Sequence, residues 1–196
     1  AAAMIEGLQA AGVAATAKHF PGHGDTTTDS HHGAPVILHD QERLRRVELP
    51  PFAAAISAGV RAVMTAHIAL PNYNGGSELP ATLSPNILRG LLRHQLGFEG
   101  VIISDALDMG AIQQGLGLAV DVITAVAAGI DLLLFNADAD KQPSMYPLLL
   151  QAARRRLLSP ADILASAERI LALKTWCARI TPPPLEVVGC AEHQAL

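Results

Sequence analysis

Four short apolar runs recur at intervals of roughly forty residues: Val13–Phe20, Val60–Ala69, Val101–Ile103 and Ile130–Phe135. Helix-patterned stretches separate them. The runs are apolar at successive rather than alternate positions, so both faces must be covered, as in a parallel sheet flanked by helices. The alternation predicts a parallel α/β architecture, either a barrel or an open sheet. Four βα units fill half of an eight-stranded barrel, so the barrel reading expects the other half to lie outside these 196 residues.

The helices announce themselves through caps and breakers. Ala1–Ala11 places Met4, Ile5 and Leu8 at helical spacing, with Gly12 as the stop. Asp40 caps a helix through Val47, with Leu44 and Val47 turned inward, and Pro51 starts another that ends at Gly59. Ser84-Pro85 opens a helix with the stripe Ile87, Leu88, Leu91 and Leu92, and Gly97 stops it. Further helices are expected over Leu118–Ala128 and Met145–Leu158. After them Ser159-Pro160-Ala161-Asp162 supplies cap, first-turn proline and acid for one more helix, whose inward face is Ile163, Leu164, Ala167, Ile170 and Leu171. Residues 1–180 thus read as one partial barrel, and the Pro-rich stretch 181–196 as a C-terminal tail.

Composition excludes several classes. Half of the residues are hydrophobic and 16% charged, which rules out a disordered chain. Fourteen basic and eighteen acidic residues, with no basic run, argue against a nucleic-acid surface. No apolar run reaches membrane-spanning length. No Gly-rich dinucleotide fingerprint follows any strand. Cys177 and Cys190 have no metal-type spacing, and they favour a reducing compartment, the cytoplasm.

One stretch has no use in a purely structural loop. Lys18-His19-Phe20-Pro21-Gly22-His23-Gly24-Asp25, continued by Asp29-Ser30-His31-His32-Gly33, holds four of the eight histidines where the first strand should end. In parallel α/β folds the site lies at the carboxyl ends of the strands. That rule collects Lys18, His19, His67, Asp105 and Asn136, and the loop adds Asp29 and His31. Blander readings stand beside it. His23 and His32 suit loop hydrogen bonding, His67 reads equally as a satisfied core histidine, and Asp105 could cap a helix near Leu107. Asp108 is expected to be exposed. On residue types alone two chemistries stay open: a metal-dependent hydrolase, or acid–base and nucleophilic catalysis without metal.

The stretch Lys18–Gly24 with Asp29-Ser30-His31, followed in order by Met64-Thr65-Ala66-His67, Ser104-Asp105-Ala106-Leu107-Asp108-Met109 and Ala128-Gly129-Ile130-Asp131, resembles glycoside hydrolase family 3. The match is to its β-N-acetylglucosaminidase branch. The resemblance implies a (β/α)8 TIM barrel of which this chain is the second half. It implies Asp105 as nucleophile, His31 as general acid/base, Asp29 as the residue that orients His31, and Lys18 and His19 as sugar-binding groups. Ala106 departs from the second aspartate of many relatives and leaves the nucleophile position intact.

By the same resemblance the reaction is retaining removal of terminal β-linked N-acetylglucosamine from peptidoglycan-type fragments. The partner is then a small carbohydrate, a muropeptide or oligosaccharide, and no cofactor or metal is expected. A phosphorylase, a metal-dependent hydrolase and an inactive carbohydrate-binding half barrel are the alternatives. The family's sugar-binding Asp and Arg from the earlier half of the barrel have no positions here, so these residues alone are expected to be inactive.

Overall fold

The computed structural model of the protein describes residues 1–26, 34–112, 116–136 and 141–191. Its centre is a four-stranded sheet, β1 (Thr16–Phe20), β2 (Ala62–Thr65), β3 (Val101–Ala106) and β4 (Leu132–Leu134). The strands lie in chain order and every neighbouring pair is parallel. This is the succession of βα units that makes up half of a TIM barrel. Three of the strands are shorter than their apolar runs, because burial without ladder pairing continues past them, whereas β3 runs on beyond Ile103 to Ala106. Ala66, Ile68, Ala69 and Leu70 follow β2 with no exposed surface, yet only Ala69 makes an isolated bridge.

Helices Ala2–Ala10, Pro50–Ser57, Asn86–Gln95, Leu116–Ala128, Lys141–Arg154 and Pro160–Ala178 supply the cover. Asp40 caps as expected, its carboxylate accepting the Arg43 N–H at 2.7 Å. The helix it opens widens to a π turn over Leu44–Glu48. Leu44 stays buried, but the changed angular step leaves Val47 exposed. The segment Asn86–Gln95 is also π-wound and still buries Ile87, Leu88, Leu91 and Leu92.

The last helix departs most from expectation. Ser159 caps it through the Asp162 N–H, but Leu164 and Leu171 are 61% and 60% exposed. Its attachment is polar and local. Arg61 stacks over the Trp176 ring at 4.7 Å, and Ser166 and Arg169 reach the carboxylate of Asp131. Ile163 and Ile170 border an open apolar cleft with Leu133 and Leu149 instead of being sealed. Among the described residues no helix is long and apolar enough to cross a membrane.

Gly100, at the foot of β3, shows how tightly the sheet is seated. A Cβ there would stand 2.5 Å from the Arg61 carbonyl oxygen and 2.6 Å from the Phe98 ring. The same carbonyl receives the Val101 N–H that begins the β2–β3 ladder. Gly100→Ala should therefore cost about 1–3 kcal/mol as strand and ring move apart. Thermal unfolding checks this, and an unchanged midpoint would show that the foot of β3 is loose.

Candidate active site

The site is assembled where two strands bulge. The β1–β2 register shifts between Ala17 and Phe20, the positions that bracket Lys18 and His19. The β3–β4 register shifts between Ile103 and Ala106, bracketing Ser104 and Asp105. A bulge leaves one residue out of the ladder and re-aims its side chain, and bulges collect at sites for that reason. In β3 the displaced pairing is taken up by side chains. Ser104 Oγ accepts the Leu134 N–H at 2.9 Å, and the Ala106 N–H is free to donate to Asp105 Oδ1 at 2.8 Å.

These bulges bring His19 and Asp105 together across the intervening β2. His19 Nε2 stands 3.6 Å from Asp105 Oδ2, with the side chains 30% and 15% exposed. Both are thus half-sheltered and reachable from the rim. Burial lowers the His19 pKa below its ordinary 6.5; Asp105 opposes this, and Lys18 and His23 reinforce it. A neutral imidazole both donates and accepts, which suits sugar hydroxyls. His23 meets His19 edge-on at 6.0 Å. Lys18 is exposed on the same strand end. Asp29 and His31 lie outside the described residues.

Asp25, His39 and Arg43, which flank residues 27–33 in sequence, are tied by contacts the sequence reading missed. His39 Nε2 and Asp25 Oδ2 are 2.7 Å apart, Arg43 approaches the same carboxylate at 3.6 Å, and Arg43 also donates to Glu48 at 3.0 Å. Gly22 must remain small here. Its φ is +135° and an added Cβ would lie 2.9 Å from Glu48 Cβ.

His67 resolves as a buried, fully hydrogen-bonded histidine. It has no exposed surface. Nε2 lies 3.0 Å from the Ala106 carbonyl and Nδ1 lies 2.8 Å from Thr82 Oγ1. A carbonyl only accepts, so Nε2 carries the proton; Thr82 Oγ1 also stands 3.1 Å from the Ala66 carbonyl, so its single hydrogen is shared between that carbonyl and Nδ1. Thr82 also meets Thr65 Oγ1 at 2.9 Å. Thr82 was missed; its signal is a lone hydroxyl between the apolar residues Ala81 and Leu83, all three buried.

Asp105 caps no helix, because turns follow it up to Ile112. Asp108 is half-buried and accepts the Asn136 N–H, at 3.2 and 3.1 Å to its two oxygens. Asn136 itself is exposed at the end of β4. Among the described residues no group of three His, Cys, Asp or Glu side chains is placed to hold a metal ion.

Burial is the main cause that lowers the His67 pKa from its ordinary 6.5, against the opposing pull of the Ala106 carbonyl and Asp105. A depressed folded value means stability is complete above 6.5, where the unfolded imidazole is also neutral. That stability is lost as pH falls from there through the lowered folded value. The unfolding midpoint should therefore drop as pH falls below the ordinary 6.5, and His67→Gln should flatten that drop. An identical pH slope in the variant would show that His67 does not titrate on unfolding.

The chain is similar to known proteins over most of its length. Residues 1–173 match the model of the glycosyl hydrolase family 3 N terminal domain. Beta-hexosaminidase A of Pseudoalteromonas piscicida is 38% identical over 189 residues, covering 88% of this chain and 32% of that protein. The beta-hexosaminidase of Stenotrophomonas maltophilia (strain R551-3) is 37% identical over 163 residues, covering 83% and 46%. A solved glycoside hydrolase family 3 beta-N-acetylglucosaminidase from Paenibacillus sp. str. FPU-7 superposes with TM-score 0.88 at 45% identity, over 94% of this chain and 35% of that one. The chain thus spans from a third to less than half of the length of these relatives.

Proposed function

The chain belongs to glycoside hydrolase family 3, and from that premise we propose that it supplies the nucleophile and the acid/base of a retaining β-N-acetylglucosaminidase. The observation that carries the reading is the approach of His19 to Asp105 at the carboxyl ends of β1 and β3. A sheltered carboxylate stands there beside a neutral hydroxyl-binding imidazole and an exposed lysine. The names of the relatives, beta-hexosaminidase and beta-N-acetylglucosaminidase, support the substrate class.

In this mechanism Asp105 attacks the anomeric carbon and the sugar leaves its aglycone, whose oxygen takes a proton from His31. Water then attacks the glycosyl ester, giving its proton to His31, and Asp105 is released. Imidazole suits the donor role because it titrates near neutrality without deep burial. Asp29, two residues away, favours the protonated ring and selects its tautomer. A neutral base also keeps a second negative charge away from Asp105. Lys18 and His19 hold the sugar hydroxyls beside the reacting carbon.

The test uses a polypeptide that joins this chain to the other four βα units of the barrel. His31→Ala should slow substrates with poor leaving groups by about 10²-fold or more, while activated aryl N-acetylglucosaminides lose much less. Equal losses on both would mean that His31 does not protonate the leaving oxygen. The narrower assignment, terminal N-acetylglucosamine on peptidoglycan-type fragments, predicts release of that sugar from muropeptides. Turnover confined to other β-glycosides would remove it.

A further inference from the structure

Asp105 is held by a hydrogen-bond chain that starts in β2 and ends on the nucleophile. Its Oδ1 accepts the Ala106 N–H at 2.8 Å. The orientation of Ala106 is set in turn by what grips its carbonyl, which accepts from His67 Nε2 at 3.0 Å and from the Met109 N–H at 3.1 Å. The Met109 bond belongs to the local turn and moves with it. The His67 bond ties this peptide to the end of β2, while the Leu107 N–H of the same peptide ties it to the Leu134 carbonyl of β4 at 2.9 Å. His67 is itself pinned by Thr82 at 2.8 Å, and Thr82 by Thr65 of β2 at 2.9 Å. His67, Thr82 and Thr65 have no exposed surface, so no water competes for these bonds and the chain is stiff.

We infer that His67 is a positioning residue for the nucleophile: through its Nε2–H bond to the Ala106 carbonyl it fixes the Ala106–Leu107 peptide, and with it the Ala106 Cα next to the N–H on which the Asp105 carboxylate rests. The inference rests on the reading of Asp105 as the nucleophile. The bulge in β3 makes the support necessary, because Ser104 and Asp105 fall where the β3–β4 register shifts. Without His67 the Ala106–Leu107 peptide would keep its own turn and the bond to Leu134, and would lose its hold on the β2 side. A carboxylate displaced by about 1 Å from its line of attack can lose on the order of 10²-fold in rate.

The discriminating experiment replaces His67 with two amides in the complete barrel. In His67→Gln the amide reaches to the place of Nε2 and keeps a donor for Ala106. In His67→Asn it stops at the place of Nδ1, keeps Thr82 and loses Ala106. Both place a neutral amide in the same buried pocket, and the unfolding midpoint of each variant reads separately the packing lost with the shorter side chain. Positioning predicts that His67→Asn loses about 10²-fold in kcat at nearly unchanged KM, while His67→Gln stays within about tenfold of the parent. Equal kcat values for the two variants, or a loss in His67→Asn carried by KM, would overturn it. Asp105→Ala in the same series separates the two ideas. If it keeps its activity, the nucleophile assignment has failed; if it is inactive and the amides are equal, only the positioning role has.

Discussion

Asp105→Ala in the complete barrel should lower kcat by on the order of 10³-fold or more, since it removes the carboxylate proposed to form the glycosyl ester. Among the described residues, Asp108 is the nearest rival in sequence, and its two oxygens accept the Asn136 N–H. A 2-deoxy-2-fluoro sugar with a good leaving group should label the parent at Asp105, as peptide mass analysis would show. Label on Asp108, or an alanine variant with parental turnover, would remove the assignment. Folding should be little affected, because Asp105 makes its hydrogen bond to the very next residue and stands 15% exposed.

Asp131 should behave in the opposite way, with a large effect on stability and a small one on chemistry. Its side chain has no exposed surface, and it collects partners from three parts of the chain. Arg93 donates to it at 2.6 Å, Arg169 at 2.8 Å, the Ile102 N–H at 2.9 Å, and Ser166 also bonds it. Burial holds the Arg93 pKa down to about 10 even with Asp131 beside it, so the guanidinium stays charged at neutral pH. Asp131→Ala would leave two guanidinium groups and a backbone N–H without their acceptor, a loss of about 3–5 kcal/mol. For a chain of this size that lowers the unfolding midpoint by roughly 10 °C or more. A shift of only a degree or two would mean that water replaces the carboxylate at little cost.

The contrast between these two aspartates shows how far the sequence could be read. Both follow apolar strand-type residues in motifs of similar form, and the topological rule separates them. Asp105 comes at the carboxyl end of its strand, whereas Asp131 precedes β4. The order of the four strands, the caps at Asp40 and Ser159, and the stripe Ile87, Leu88, Leu91 and Leu92 were all legible. Each rests on interactions within a few residues, or on burial that every position in a run shares. Val47, Leu164 and Leu171 were misread as inward. Periodicity locates a face, but the neighbours that face meets come from elsewhere in the chain.

The chain's own order therefore determined the parallel α/β class, the half-barrel count and the placing of Lys18, His19 and Asp105 at strand ends. Local propensity and strand direction suffice for these. Only the tertiary structure decided that β1 and β3 bulge at those residues, that His19 meets Asp105 across β2, and that Thr82 and His67 support the Ala106 peptide. Those contacts join residues 15 to 86 positions apart. Their geometry depends on how strands settle against one another, and no pattern along the chain records that.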